Sequence, residues 1–167
     1  MSTSPSVTRG PGRLASILIA IGPVLCASIA GQVATLPNIE PWYASLAKPA
    51  FNPPNWIFGP VWTVLFALMA FAVLRLLRAP ATGPAKRSAL AVFFVMLAFN
   101  AGWSWAFFYA HSPLLGLFDI AAQWLAIVAT IALFRPIDRI AAWCFAPLLV
   151  WVSFAGVLNL AIWRLNG

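Results

Sequence analysis

Long apolar stretches separated by short polar connections dominate the chain. A helix advances about 1.5 Å per residue, so about 20 apolar residues are needed to cross the roughly 30 Å hydrocarbon layer of a membrane. Five stretches are long enough, and they lack the alternating pattern of barrel strands. Each is therefore predicted to be a transmembrane helix. The predicted helices cover residues 14–35, 55–77, 88–109, 113–134 and 140–163.

The connection between the first two predicted helices differs from the others. Residues 36–54 carry five prolines together with Trp42, Tyr43 and Phe51. The prolines prevent a continuous helix, and the aromatic residues are atypical of a solvated linker. An ordered loop that covers one end of the bundle is therefore predicted. The remaining connections are short, which favours antiparallel neighbours. The predicted fold is an all-α membrane protein, a bundle of five transmembrane helices with a long ordered first loop.

Composition supports a chain that lies in lipid. It is 63% hydrophobic and 8% charged, whereas soluble domains are roughly a quarter charged. The net charge of +7 comes from basic residues that stand singly or in pairs, so no nucleic-acid partner is predicted. Residues 1–13, rich in Ser, Pro and Gly, are predicted to be a disordered tail, and residues 14–167 form a single domain.

The basic residues also predict an orientation. Only Lys48 and Arg164 fall on the side of the aromatic loop, and the other eight fall on the opposite side. By the positive-inside rule, the N-terminus is expected in the cytoplasm and the aromatic loop on the opposite side of the membrane. This rule leaves open whether the membrane is an inner or an outer one. The eight residues are Arg9, Arg13, Arg75, Arg78, Lys86, Arg87, Arg135 and Arg139.

Polar and large aromatic residues within the predicted helices gather in the half of the membrane beneath the loop. Asn100, Trp103, Asp119, Trp151 and Asn159 all fall there, and this clustering predicts a binding site. Steps of three and four residues place several of them on common helix faces. These faces carry Trp62 and Phe66 on the second helix, Asn100, Trp103, Ser104 and Phe107 on the third, and Pro147, Trp151, Phe154, Ala155 and Leu158 on the fifth.

Flat rings beside the small Ala155 predict a slot for a rigid planar ligand. With His111 as the single histidine, axial ligation of haem iron is not expected, and no metal site or required cofactor is predicted. A metal-free porphyrin fits better, and its carboxylates could meet Lys48 or Arg164. The two asparagines, Asn100 and Asn159, could contact the ligand or join helices by hydrogen bonds.

The sequence resembles the tryptophan-rich sensory protein (TspO/MBR) family, the bacterial relatives of the mitochondrial translocator protein, also called the peripheral benzodiazepine receptor. The resemblance covers about residues 41–166. It rests on PWYASLAKPAFNPPNWIFGPVW, on FNAGWSWAFF, on Asp119 and on APLLVWVSFAGVLNLAIWRLN. It implies a five-helix bundle, usually a homodimer, that binds porphyrins and, in some members, benzodiazepine-like drugs or cholesterol in a pocket under the first loop.

The resemblance also implies particular pocket residues. Trp62 and Trp151 match tryptophans implicated in light-dependent porphyrin breakdown in bacterial relatives. The segment after Leu158 lacks the tyrosine of the cholesterol-recognition pattern, so cholesterol is not expected as a ligand. The implied ligand-binding residues are Tyr43, Pro53, Trp62, Phe66, Asn100, Trp103, Ser104, Trp151, Ala155 and Leu158.

Three functions remain open at this point. The first is a membrane sensor that binds porphyrins or similar flat lipophilic ligands and regulates tetrapyrrole-linked metabolism or a stress response. The second is a photo-oxidative, porphyrin-degrading enzyme that uses Trp62 and Trp151. The third is a transporter of tetrapyrroles or other lipophiles. Acid–base hydrolysis is not expected, because the three carboxylates, Glu40, Asp119 and Asp138, stand far apart in the sequence.

Overall fold

The computed structural model of the protein describes residues 12–80 and 83–167, and most of these residues are helical. Within these described residues, five helical segments are long and apolar enough to cross a membrane, so the five-helix prediction is confirmed and the protein is an integral multi-pass membrane protein. The predicted disordered tail lies outside the described residues except for Gly12 and Arg13, and Arg13 already begins the first helix. The long helices are α1 (Arg13–Thr35), α2 (Asn55–Arg78), α3 (Pro84–Ser104) and α4 (Pro113–Phe134), followed by the short α5 (Arg139–Trp143) and by α6 (Ala146–Asn166).

Three of the five spans are not continuous α-helices. The first, Arg13–Asn38, ends in a 3₁₀-helix, Leu36–Asn38. A π-helix, Trp105–Tyr109, extends α3 without a break. The fifth span is divided into α5 and α6 by a turn at residues 144–145. Pro147 lies in the first turn of α6. Proline has no N–H to donate to the preceding turn, so it favours a helix start at this point and disfavours an unbroken helix.

The core is densest in the half of the bundle that lies away from the first loop. Phe93 of α3, Phe134 of α4 and Phe145, just before α6, are fully buried there and contact one another. Their ring centroids are 5.2–6.4 Å apart. Met69 and Leu76 of α2 belong to the same buried cluster. The half of the bundle beneath the loop is packed differently, because it contains a cavity.

Asp138 caps α5 and joins it to α2. Its Oδ1 accepts a hydrogen bond from the Ala141 N–H at 2.9 Å, and its Oδ2 lies 2.9 Å from Nη2 of Arg75. Burial alone would raise the pKa of Asp138, but the bond from Ala141 and the Arg75 guanidinium lower it below its usual value.

We therefore expect Asp138→Asn to lower the free energy of unfolding by about 1 kcal/mol at neutral pH, because the amide can still cap α5 but loses the ion pair with Arg75 and the favourable negative charge at the helix N-terminus. Because the carboxylate has the lower pKa in the folded state, its contribution is complete above the ordinary aspartate pKa of about 3.9 and is lost as the pH falls below it. Thermal unfolding in detergent between pH 3 and pH 7 checks this. Arg139→Gln, at an exposed neighbouring position, is the control. An equal pH dependence in Asp138→Asn and the wild type would contradict the assignment.

Candidate ligand-binding cavity

Residues 36–54 form an ordered cap, as predicted from their prolines and aromatic residues. Two short 3₁₀-helices, Leu36–Asn38 and Tyr43–Ser45, shape this segment. Tyr43 is buried, and its hydroxyl donates a hydrogen bond to Oδ1 of Asn52 at 2.9 Å. Lys48 lies over the Tyr43 ring with its Nζ 4.6 Å from the ring centroid. These contacts hold the cap in one conformation over the bundle.

The cap is also attached to two other parts of the chain. The side chain of Asn166, at the end of α6, pairs with the backbone of Ala47: its Oδ1 accepts from the Ala47 N–H at 2.9 Å, and its Nδ2 donates to the Ala47 carbonyl at 3.0 Å. Trp42 stacks on His111, which precedes α4, with ring centroids 4.8 Å apart. His111 Nε2 lies 2.9 Å from Oδ1 of Asn38. The cap is therefore joined to the end of α6 and to the connection before α4.

A cavity of about 430 Å³ lies beneath the cap. This volume is within the range of drug-sized ligand sites. Its wall combines α1, α2, α3 with the π-helix, α6 and the cap. The residues in the wall are Ala27, Ser28, Gly31, Gln32, Thr35, Leu36, Ile39, Tyr43, Asn55, Phe58, Gly59, Trp62, Thr63, Phe66, Asn100, Trp103, Ser104, Phe107, Phe108, Ala155, Leu158, Asn159 and Ile162.

The π-helix places two consecutive aromatic residues in the wall. Phe107 and Phe108 are both buried and both line the cavity. In a regular α-helix, consecutive side chains point about 100° apart, and a π-bulge changes this registration locally. Trp103 stacks on Phe107 with ring centroids 5.0 Å apart and an interplanar angle of 17°, and it meets Phe108 edge-on. Trp103 and Phe107 are therefore nearly parallel, and Phe108 stands almost perpendicular to both.

Asn159 and Asn100 differ in their hydrogen bonding. Asn159 Nδ2 donates to the Pro113 carbonyl at 2.6 Å, and Asn159 Oδ1 accepts from Nε1–H of Trp103 at 3.3 Å. Asn159 therefore joins α6 to α3 and α4. Asn100 is also buried, but its Nδ2 has no hydrogen-bond partner among the described residues. Buried polar groups normally have partners, so Asn100 is a wall residue with an unsatisfied donor, although Nδ2 itself lies beneath the accessible surface of the wall.

Eight of the ten binding residues predicted from the sequence line this cavity. Pro53 and Trp151 do not. Trp151 is half-buried and packs edge-on against Phe58, with ring centroids 5.7 Å apart, and Phe58 is in the wall. Helical periodicity correctly placed Trp151 inside the bundle, but the side chain of Phe58 occupies the position beside the cavity. The residues that the structure brings together are Tyr43, Trp62, Phe66, Asn100, Trp103, Ser104, Ala155 and Leu158.

The contribution of α1 to the wall was not predicted. Ser28, Gly31, Gln32 and Thr35 line the cavity at steps of three, one and three residues. This spacing is that of one helix face, and three polar residues on one face of a transmembrane helix are unusual. This polar stripe of α1, formed by Ser28, Gln32 and Thr35, is thus a feature of the sequence that indicates a cavity-lining face.

Asp119 is not part of the wall. Its Oδ1 lies 3.0 Å from the position that a Cβ on Gly102 would occupy, so α3 and α4 approach closely there. The other oxygen, Oδ2, is buried without a hydrogen-bond partner in the part of the chain that the structure describes. Asp119 therefore lies at the contact between α3 and α4 rather than at the ligand cavity.

The fold and the cavity define a class: membrane proteins of five helices with an aromatic-lined cavity between the helices and an ordered loop above it. The sequence matches the TspO/MBR family over residues 19–164. The chain belongs to the TspO/MBR family.

Relatives from bacteria and animals are similar over most of their length. The "Tryptophan-rich protein TspO" of Chlorobaculum tepidum is 38% identical over 157 residues, which is 92% of this chain and 98% of that protein. The "Tryptophan-rich sensory protein" of Cereibacter sphaeroides is 36% identical over 127 residues, 76% of this chain and 78% of that protein. The human "Translocator protein" is 32% identical over 126 residues and covers 75% of each chain.

Proposed function

We propose that this protein is a membrane sensor that binds a porphyrin or a similar flat lipophilic molecule in the cavity beneath the cap, and that its occupancy regulates tetrapyrrole-linked metabolism or a stress response. The observation that carries this proposal is the shape and chemistry of the wall. Stacked Trp103 and Phe107 face a cavity that Trp62 and Phe66 also line. Aromatic planes of this kind favour planar aromatic ligands, which can stack on them or meet their edges.

Asn100 supports a specific orientation of the ligand. Asn100 lines the cavity, and its unpartnered Nδ2 lies beneath the accessible surface of the wall, so a rotation of the amide would present this donor to a ligand. A ring nitrogen or carbonyl oxygen of the ligand would accept this bond. A ligand without an acceptor would leave the donor unsatisfied, and an unsatisfied buried donor costs about 1–3 kcal/mol.

We also propose an orientation in the membrane and further partners of the protein. We place the N-terminus in the cytoplasm and the cap on the other side of the membrane, because the basic residues lie mainly at the helix ends away from the cap. A homodimer and benzodiazepine-like ligands follow only from the resemblance to the family. Cholesterol is not proposed as a ligand.

Titration with protoporphyrin IX, followed by quenching of tryptophan fluorescence, tests the proposal. We expect Trp62→Ala to weaken binding by about tenfold, because loss of an aromatic contact costs about 0.5–1.5 kcal/mol beyond the buried area. Trp151→Ala should weaken binding less, since Trp151 contacts Phe58 and not the cavity. Because both variants lose one tryptophan, each serves as the optical control for the other. Unchanged affinity in Trp62→Ala would contradict binding in this cavity.

Light-dependent porphyrin breakdown is a second candidate, favoured by the position of Trp62 in the wall. The indole would lie within reach of an excited ligand. Illumination of the loaded protein should then yield a product that the wild type forms and Trp62→Phe does not. Equal bleaching by both proteins, or in the absence of protein, would eliminate this candidate without affecting the binding proposal.

A further inference from the structure

The end of the bundle away from the cap carries an excess of positive charge. The chain has three acidic residues, and of these only Asp138 lies at this end, because Glu40 belongs to the cap and Asp119 to the part of α4 beneath the cap. The basic residues that the structure describes at this end are Arg13, Arg75, Arg78, Lys86, Arg87, Arg135 and Arg139. Seven basic side chains are therefore accompanied by one carboxylate.

This carboxylate has no free oxygen to offer a second cation. Oδ2 of Asp138 lies 2.9 Å from Nη2 of Arg75 and accepts a hydrogen bond from its Nε at 3.0 Å, while Oδ1 accepts from the Ala141 N–H. In the described part of the chain, Arg75 and Asp138 form the only ion pair. The other basic side chains at this end therefore have no acidic partner among these residues.

One of these cations is fixed beside another. Lys86 of α3 reaches the end of α2, where its Nζ donates to the Leu77 carbonyl at 2.8 Å and to the Ala79 carbonyl at 3.0 Å. These two residues stand on either side of Arg78, which is exposed. The carbonyl groups provide hydrogen bonds to the ammonium group but do not neutralise its charge. Arg78 and Lys86 therefore share the end of α2, and an anion beside them would be stabilised.

The ion pair between Arg75 and Asp138 brings the end of α4 to the same place. Arg78 follows Arg75 by three residues, about one helical turn, and Arg135 precedes Asp138 by three residues. Arg135, like Arg78, is exposed. The structure thus places cations from α2, α3 and the end of α4 around one ion pair. We call Arg78, Lys86 and Arg135 the basic corner.

An exposed apolar surface adjoins the basic corner. Phe71, Ile140 and Trp143 are all exposed, and Trp143 has 71% of its surface accessible. The guanidinium of Arg75 lies 5.8 Å from the centroid of the Phe71 ring, and α5, which carries the other two residues, begins directly after Asp138. A soluble phosphate or an acidic peptide would leave these side chains uncovered, whereas the acyl chains of a phospholipid would cover them.

We propose that the basic corner binds the phosphate group of an anionic phospholipid in the leaflet on the side away from the cap. Guanidinium groups bind phosphate oxygens through paired N–H donors, and basic groups between helix ends select anionic headgroups. The phosphate supplies the counter-charge that the protein lacks there, and the acyl chains lie on Phe71 and Trp143. The bound lipid connects α2 and α3 to the end of α4. This site is separate from the cavity and does not depend on the proposed function.

Thermal unfolding, followed by tryptophan fluorescence, tests the selectivity for lipid. The full-length protein in a neutral detergent receives phosphatidylglycerol, phosphatidylcholine with the same acyl chains, or inorganic phosphate alone. A molecule that binds only the folded protein raises the midpoint of unfolding. We expect phosphatidylglycerol to raise this midpoint by about 4 °C, and phosphatidylcholine and inorganic phosphate to raise it by less than about 1 °C.

Removing two cations should weaken this effect. One basic residue beside an anionic lipid changes binding by about fivefold, so we expect the double variant Arg78→Gln/Arg135→Gln to need about twentyfold more phosphatidylglycerol for the same rise. Arg164→Gln is the matched control, because Arg164 is exposed at the cap end of α6, and its response should equal that of the wild type. Each rise is measured against the same variant without lipid, so a change in stability alone does not imitate it.

The two substitutions are tested singly if the double variant does not fold, and each should then need about fivefold more lipid. Equal rises with the two phospholipids would overturn the proposal. A rise with inorganic phosphate as large as that with phosphatidylglycerol would overturn it too, since the acyl chains would then contribute nothing. An unchanged response in the Arg78 and Arg135 variants, or an equal loss of response in Arg164→Gln, would contradict the basic corner as the site.

Discussion

Replacing Ala155 by phenylalanine is expected to abolish porphyrin binding and leave the protein folded. Ala155 is half-buried, on the face of α6 that lines the cavity, between Trp151 and Leu158 along the helix. A phenyl ring at this position would fill space that a planar ligand needs. We expect affinity to fall by at least about a hundredfold, which corresponds to roughly 2.8 kcal/mol at 1.4 kcal/mol per tenfold change.

The matched control is Val157→Phe on the same helix. Val157 is 59% exposed and does not line the cavity, so its enlargement should leave binding unchanged. Affinity is measured by fluorescence quenching, and folding is checked by circular dichroism and gel filtration in detergent. If Ala155→Phe is folded and retains the wild-type affinity, the ligand does not lie in this cavity.

Among the glycines that the structure describes, Gly116 is expected to cause the largest loss of stability when it is replaced by alanine. A Cβ on Gly116 would lie 2.7 Å from Oδ1 of Asn159 and 3.1 Å from Cδ2 of Phe107. Neither side chain is free to move away. Asn159 is hydrogen-bonded to Trp103 and to the Pro113 carbonyl, and Phe107 is stacked on Trp103. Overfilling of a packed interior typically costs 1–3 kcal/mol, so we expect a loss of about 2 kcal/mol.

Gly22→Ala provides the comparison. Gly22 is inside α1, and no other atom lies within 4 Å of the position that its Cβ would occupy. The same chemical change should therefore leave the midpoint of thermal unfolding unchanged or raise it, because alanine favours a helix more than glycine does. We also expect Gly116→Ala to weaken porphyrin binding, because Asn159 and Phe107 both line the cavity. Equal unfolding midpoints for the two variants would show that α4 and α6 can separate without loss.

The five spans could be predicted because their cause is simple. The thickness of the hydrocarbon layer sets a minimum length of apolar helix, and this constraint is visible in any hydropathy pattern. The fourth helix was predicted at residues 113–134, and α4 covers Pro113–Phe134. The third begins earlier than predicted, at Pro84, because polar residues of its first turn continue the helix beyond the apolar stretch.

The details of the site depend on contacts between helices. The helical repeat of a sequence predicts which face a residue lies on, but it does not predict which side chains of other helices that residue contacts. A helical repeat places Trp151 on an inward face, but only the packing of α2 against α6 shows that Phe58 separates it from the cavity. The π-helix depends on packing in the same way, since nothing in the local sequence distinguishes Trp105–Tyr109 from an α-helical turn. The polar stripe of α1, formed by Ser28, Gln32 and Thr35, is visible in the sequence, but only the structure shows that it lines the cavity.

Asn159 has a consequence for any mutational study of this protein. It belongs at once to the cavity wall and to the junction where α3, α4 and α6 meet. The hydrogen bonds of Asn159 therefore contribute both to the stability of the fold and to ligand affinity. A ligand that contacts Trp103 should raise the melting temperature, because it binds only the folded protein. A substitution at this junction changes ligand affinity and the free energy of unfolding together. A fall in affinity must therefore be compared with the unfolding curve of the same variant.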